Sequence, residues 1–267
     1  MANAFFVVWR ESLEAFLIVG ILYAWLQANE YGARGRRALA AGIGAGIGLA
    51  LALGWALVAV QDELAGEALE VFQTGMLLVA AALITQMVLW MRRHGRQLRA
   101  QLHAELSAAS ARSGLAGVAI VAALAVAREG AETTIFLYGL AQEGGLGTLL
   151  AGAGAGFVAA ALTAALAAGG LRRLPLAPLL RLSSLLLLVL ASALLTAAGD
   201  RLIGAGWLPT LVDPVWDSSR LIDDGSDAGK LFADFSGYRA RPALSLLLLQ
   251  LAYWGAVAVG WQRSGRA

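Results

Sequence analysis

Seven long apolar runs, separated by polar segments, account for most of the chain. They cover about 4–27, 38–60, 71–91, 114–141, 148–170, 179–199 and 242–261. Each is close to the roughly 20 residues that an α-helix needs to cross the hydrocarbon core of a bilayer. The pattern predicts an all-α membrane protein with seven transmembrane helices. Composition agrees: 59% of the residues are hydrophobic and 14% are charged, whereas about 25% charged is usual in soluble domains.

The polar segments predict an orientation. The first, third and fifth connections and the C-terminal tail hold three, five, three and two Lys or Arg residues. These are Arg34, Arg36 and Arg37; Arg92, Arg93, Arg96, Arg99 and Arg112; Arg172, Arg173 and Arg181; and Arg263 and Arg266. The second and fourth connections hold none. Basic residues in short loops stay cytoplasmic, so the N-terminus is expected outside and the C-terminus inside. An even number of spans would put the tail on the wrong side. The net charge of +2 therefore reports topology and does not imply an acidic or nucleic-acid partner. The first run lacks the basic region of a signal peptide and is read as a retained helix.

Two of the apolar runs contain charge. Arg10-Glu11-Ser12-Leu13-Glu14 and Arg128-Glu129-Gly130-Ala131-Glu132 both read R-E-x-x-E. A charged side chain at bilayer depth costs about 2.5 to 3.5 kcal/mol on the lenient insertion scale. Each Leu, Ile, Val or Phe returns only about 0.3 to 0.6 kcal/mol. Three spans separate the motifs, so their helices run in opposite directions. This predicts an inverted repeat of spans 1–3 (about 1–91) against spans 4–6 (about 114–199). A long periplasmic loop (about 200–241) and a last helix (about 242–261) complete a single transmembrane domain of residues 1–267. Gly42, Gly44, Gly46 and Gly48 in span two match Gly152, Gly154 and Gly156 in span five. The match reads either as repeat symmetry or as the general abundance of Gly, and G-x-x-x-G spacing lets helix backbones approach closely. No strand precedes these glycines, so they are not read as a phosphate-binding loop.

On a helix, i, i+3 and i+4 share a face. Glu11 and Glu14 therefore point one way, as do Glu129 and Glu132, and Arg10 and Arg128 can each reach the second Glu of their motif. Packed about a pseudo-two-fold axis, the four carboxylates converge near the midplane, with the arginines offsetting part of the charge. Such a site suits a small, hard, highly charged cation. Fe3+ fits; Fe2+, Mn2+, Mg2+ and Ca2+ have the same ligand preference. With no cysteine, and with His94 and His103 in a polar connection, the ligands are oxygens. Two competing readings stay open: buried ion pairs that only hold the bundle, and a proton relay. No nucleophile–base pair or cofactor motif points to an enzyme.

The two motifs resemble the paired R-E-x-x-E motifs of the high-affinity iron permease family, and the resemblance covers nearly the whole chain. Glu70, Thr85 and Trp90-Met91-Arg92 in span three are similar to that family. So are Val215-Trp216-Asp217-Ser218 and Gly237-Tyr238-Arg239-Ala240-Arg241-Pro242. The resemblance implies a multi-pass inner-membrane permease for iron, expected as Fe3+, with iron as transported substrate and no tightly bound cofactor. Glu11, Glu14, Glu129 and Glu132 match its iron-binding carboxylates, and Arg10 and Arg128 its motif arginines. It also implies a separate periplasmic protein that delivers or oxidises the iron, because no large fused periplasmic domain is visible. A permease for another metal (Pb2+ or Mn2+) and a non-transporting structural subunit are the alternatives.

Other polar residues are less specific. Asp62, Glu63, Glu67 and Glu70 form an acidic patch; Glu70, at the mouth of span three, is a possible entry site. Asp223, Asp224 and Asp227 do not fit calcium-loop spacing and read as solvated or partner-facing. Trp207 and Trp216 can anchor their loop at the interface. Tyr23, Thr85, Gln86, Thr133, Thr134 and Tyr138 read as helix-to-helix hydrogen bonds. His94 and His103 read as surface residues on the cytoplasmic side.

Overall fold

The computed structural model describes residues 2–94, 97–142, 145–169 and 176–264. The described residues form α1 (Ala2–Ala28), α2 (Gly32–Glu63), α3 (Gly66–His94), α4 (Leu98–Ser113) and α5 (Leu115–Ala141). They continue with α6 (Leu146–Ala168), α7 (Leu176–Gly204), α8 (Asp227–Ser236) and α9 (Leu244–Ser264). Among them there is no strand, so the all-α reading holds. Arg96, Arg172, Arg173 and Arg266, used above for topology, lie outside the described residues, as do residues 143–144 of the fourth connection and the side chains of His94, Arg99 and Asp227.

Five helices, α2, α3, α6, α7 and α9, are long and apolar enough to cross a membrane. The other two apolar runs lie in α1 and α5, each 27 residues long and each interrupted by three ionisable side chains. Outward faces are apolar: Leu49, Leu51 and Trp55 on α2, Leu162 on α6 and Leu251 on α9 are exposed. Apolar surface on this scale marks contact with lipid.

Two connections expected to be irregular contain helices. α4 occupies much of the basic third connection because half of its 16 residues are Ala or Leu, both good helix formers. Leu102 and Leu106, four residues apart, bury that helix against Leu22, Trp25 and Leu26 of α1 and Val118 and Ala122 of α5. Charge masked this periodicity in the sequence. α8 lies in the long polar segment. Ser226 caps it, its hydroxyl accepting from the Gly229 N–H at 3.1 Å, and Gly237 ends it with φ +74°. Both are the residue types that helix ends favour. Two of the aspartates in this segment serve the local backbone. Asp223 accepts from the Gly225 N–H at 3.0 Å and Asp224 from the Ala240 N–H at 3.1 Å.

The stretches 215–218 and 237–242, singled out separately in the sequence, are one structure. The Val215 N–H donates to the Pro242 carbonyl and the Ser218 N–H to the Ala240 carbonyl, each at 2.9 Å. Arg241 pairs with Asp217 at 3.0 Å, and Arg239 with Asp200 at the end of α7 at 2.6 Å. The Ser219 hydroxyl and N–H, with Arg241, hold the Asp217 carboxyl below the usual carboxylate range.

Packing follows the small residues. α2 lies most extensively against α5, α1 against α6 and α3 against α7, while α1 also meets α5 directly. Gly46 of α2 faces α5: a methyl group there would sit 2.8 Å from the Ala123 carbonyl oxygen and 2.9 Å from the Ala127 nitrogen. Gly156 of α6 faces α1 in the same way, against the Phe5 carbonyl and 3.0 Å from the Trp9 nitrogen. Gly42, Gly46, Gly152 and Gly156 are buried, whereas Gly44, Gly48 and Gly154 are exposed. The largest apolar core joins α3 and α7 through Leu77, Ile84, Leu187, Leu190 and Leu194.

These contacts sort the glycines. Gly46→Leu and Gly156→Leu are expected to separate their helix pairs and lower stability by at least about 1 to 3 kcal/mol. A methyl group at Gly44 or Gly154 meets nothing within 4 Å, and both positions are exposed, so Gly44→Leu and Gly154→Leu should leave stability unchanged. Membrane abundance and thermal unfolding in detergent measure the difference.

Candidate metal centre

α1 and α5 cross where their motifs lie. Glu11, Glu14 and Glu129 each offer a carboxylate oxygen, and these atoms all lie within 4.8 Å of one another. The three residues are buried. Glu132 is half-buried beside them and lies outside this group of three. Two like charges at that separation repel by about 3 kcal/mol even at an effective dielectric near 20. The cluster therefore calls for positive charge.

Arg10 supplies part of it. The residue is 1% exposed; its Nη1 lies 2.9 Å from Glu11 Oε1 and its Nη2 lies 2.7 Å from Glu14 Oε1. The helix places it there, since i+4 brings Glu14 under Arg10 one turn on. Nη1 also touches the Met87 sulfur of α3. Arg128 makes the equivalent contacts more loosely. Its Nε lies 3.1 Å from Glu132 Oε1 and 3.9 Å from Glu129 Oε1, and its side chain is 51% exposed. The guanidinium carbon lies 4.9 Å from the centre of the Trp90 ring on α3.

Hydrogen bonding within the cluster is incomplete: among the described residues, Arg10 Nε is buried without an acceptor, and three carboxylate oxygens are buried without a donor. Glu11 Oε2 and Glu132 Oε2 are buried with no hydrogen-bond partner among the described residues. Glu14 Oε1 is close to Arg10 but off the direction of a hydrogen bond. Buried oxygens of this kind are costly unless something positive reaches them. An oxygen-binding cation meets that need, and carboxylates are its preferred ligands. Among the described residues, no cysteine or histidine joins the cluster of three.

The remaining candidates sit elsewhere. Glu70 is exposed on the first turns of α3, outside the carboxylate cluster, as are Asp62, Glu63 and Glu67. His103 is half-buried on α4. Of the polar residues within the apolar runs, Tyr138 bridges helices: its hydroxyl donates to the Gln61 side chain at the end of α2. Gln142 donates to the same oxygen at 3.2 Å, and Arg201 of α7 donates to Gln73 of α3 at 2.7 Å. Thr85 meets the Tyr253 hydroxyl of α9 at 3.1 Å. Thr133 instead turns back to its own helix at the Glu129 carbonyl, and Tyr23 accepts from Gln27 one turn on. Gln86 lines a cavity of about 630 Å³ shared by α3, α7 and α9, with Thr85, Trp90, Arg93, Leu195 and Tyr253. Met87 and the role of Trp90 escaped the sequence reading, because a single Met or Trp on an apolar helix has no spacing that distinguishes it from core.

The two arginines should respond differently to removal. Arg10→Gln leaves Glu11 and Glu14 buried without their partner, and a loss of about 3 to 5 kcal/mol is expected. Arg128→Gln, at a half-exposed pair, should cost no more than about 1 kcal/mol. Thermal unfolding of the two purified variants, with membrane abundance as a second measure, reads this contrast.

The chain matches the iron permease FTR1 family over residues 1–261. It is 30% identical over 257 residues to the ferrous iron permease EfeU of Escherichia coli O157:H7, covering 94% of this chain and 90% of that protein. It is 29% identical over 252 residues to the ferrous iron permease EfeU of Yersinia pestis, covering 93% and 89%. No solved structure matches the chain.

Proposed function

The chain belongs to the iron permease FTR1 family, and from that premise we propose that it carries iron through the carboxylates of its two R-E-x-x-E helices. As a member of that family it is a transporter, not an enzyme, and a multi-pass protein of the bacterial inner membrane. The observation that carries the mechanism is the meeting of Glu11, Glu14 and Glu129 within 4.8 Å, from two helices that repeat one motif. Glu132, one turn from Glu129 and paired with Arg128, is the fourth ligand in this reading.

The proposed frame is seven spans, α1–α3 and α5–α7 as inverted repeats plus α9, with the N-terminus outside. Helix pairing supports the repeat. Exchanging α1 with α5, α2 with α6 and α3 with α7 turns the α2–α5 contact into the α6–α1 contact, and these are the two most extensive in the molecule. The register agrees too. The displacement of 118 residues that relates Arg10 to Arg128 also relates Phe5 to Ala123 and Trp9 to Ala127. Those are the residues that Gly156 and Gly46 pack against. In inverted-repeat transporters the site lies at the repeat interface near the midplane, where α1 and α5 cross here.

Iron then enters from the periplasm, binds between the two Glu pairs, and leaves to the cytoplasm as the repeats rearrange. For the ion carried, Fe2+ is proposed in place of the ferric expectation, because the relatives above are named for ferrous iron. A periplasmic partner that supplies the iron belongs to the same proposal.

Radiolabelled iron uptake by cells expressing the wild type or Glu14→Ala/Glu132→Ala, at matched membrane abundance, tests this reading. Loss of uptake in the variant, with more uptake under reducing than oxidising conditions and resistance to excess Mn2+ and Pb2+, is the expected result. Equal uptake in both would reduce the motifs to structural ion pairs, and suppression by Mn2+ or Pb2+ would change the cargo.

A further inference from the structure

The two motifs have the same sequence pattern but not the same surroundings. Arg10 is held by two carboxylates at 2.7 and 2.9 Å, sealed under Met87. Arg128 has one close carboxylate at 3.1 Å and one at 3.9 Å, and is half exposed, with the Trp90 ring beneath its guanidinium. Trp90 lies near the end of α3, so it belongs to neither motif helix.

We propose that Trp90 is a positioning residue that draws Arg128 off Glu129 and Glu132 when iron binds, making Arg128 the movable counter-ion of the site. This rests on the reading of those carboxylates as iron ligands. A cation bound by Glu129 and Glu132 and a guanidinium paired with them compete for the same oxygens, and like charges repel at that range. Binding therefore requires Arg128 to withdraw. A guanidinium over an aromatic face keeps a favourable contact without using a carboxylate. Arg10 has no such alternative: its contacts are two carboxylates and a sulfur. It remains the fixed charge of the site, while Arg128 changes partner as the ion arrives and returns as it leaves.

The apparent affinity of a site falls by the fraction of molecules in the competent arrangement. The ring centre already lies 4.9 Å from the guanidinium carbon while Arg128 is paired. The ring therefore favours withdrawal by what that contact gains as the guanidinium leaves the carboxylates. Removing the ring forfeits that gain and raises the dissociation constant. The size of a cation–π contact sets the change at about three- to thirty-fold.

The test is calorimetric titration of Fe2+, under anoxic conditions, into the purified full-length chain in detergent. Trp90→Leu is expected to weaken binding by that factor, and Trp90→Phe, which keeps a ring, to stay within about threefold of wild type. In an Arg128→Met background, Trp90→Leu should have no further effect, because the group it positions is gone. An unchanged constant for Trp90→Leu overturns the proposal. An equal loss with and without Arg128 also overturns it, since the ring would then act through packing alone. Glu129→Gln is the control for the underlying site. If it leaves Fe2+ binding intact, the ligand assignment fails; if it weakens binding while Trp90→Leu does not, only the role of Trp90 fails.

Discussion

The buried contact of Arg10 with Glu11 and Glu14 is the constraint around which the bundle is arranged. A guanidinium and two carboxylates within one helix turn are tolerated at 0–7% exposure only because each offsets the others. Helix α1 must then be enclosed on several sides. α6 closes one side, with Gly156 letting its backbone reach Phe5 and Trp9. α3 closes another through Met87. α5 closes the third and brings Glu129, the carboxylate that Arg10 does not pair with. The ion pairs alone are weak evidence for stability, since apolar residues of similar size usually serve as well. What sets this cluster apart is that carboxylate oxygens from both motifs stay buried without a hydrogen-bond donor among the described residues.

The site lies between two closures of different chemistry. Along α5, Val118 and Ala122 join an apolar cluster with the C-terminal half of α1 and with Leu102 and Leu106 of α4. Tyr138, nine residues past Glu129 and so about 13 Å further along the helix, joins Gln61 and Gln142, and Arg201 ties Gln73 to the same end. An apolar cluster separates without leaving polar groups unpaired, whereas hydrogen-bonded side chains exchange readily with water. The two sides of the carboxylate cluster are thus held by different kinds of contact.

The two R-E-x-x-E motifs share one pattern but differ in their surroundings. Gly46 lets α2 close on α5 and Gly156 lets α6 close on α1. Yet one motif arginine is sealed and the other half exposed. The difference comes from α3, which presents Met87 to Arg10 and Trp90 to Arg128. A single helix, α3, therefore gives the two motif arginines different neighbours.

The apolar runs, the position of the charges within them and the residues of each motif were legible in the sequence. Hydrophobic length and i, i+4 geometry are local properties, and bilayer thermodynamics makes a charge in such a run conspicuous. The pairing of Arg10 with Glu14 and of Arg128 with Glu132 followed from the same geometry. Helices α4 and α8 were not legible, because basic and acidic residues obscured a short apolar stripe and a Ser–Gly pair of caps. Nor could the sequence say which three carboxylates meet, which glycines face a partner helix, or that Trp90 lies under Arg128 and Met87 against Arg10. Those depend on how helices far apart in the chain cross, and crossing is decided by side-chain volume at the contact, which no single helix carries by itself.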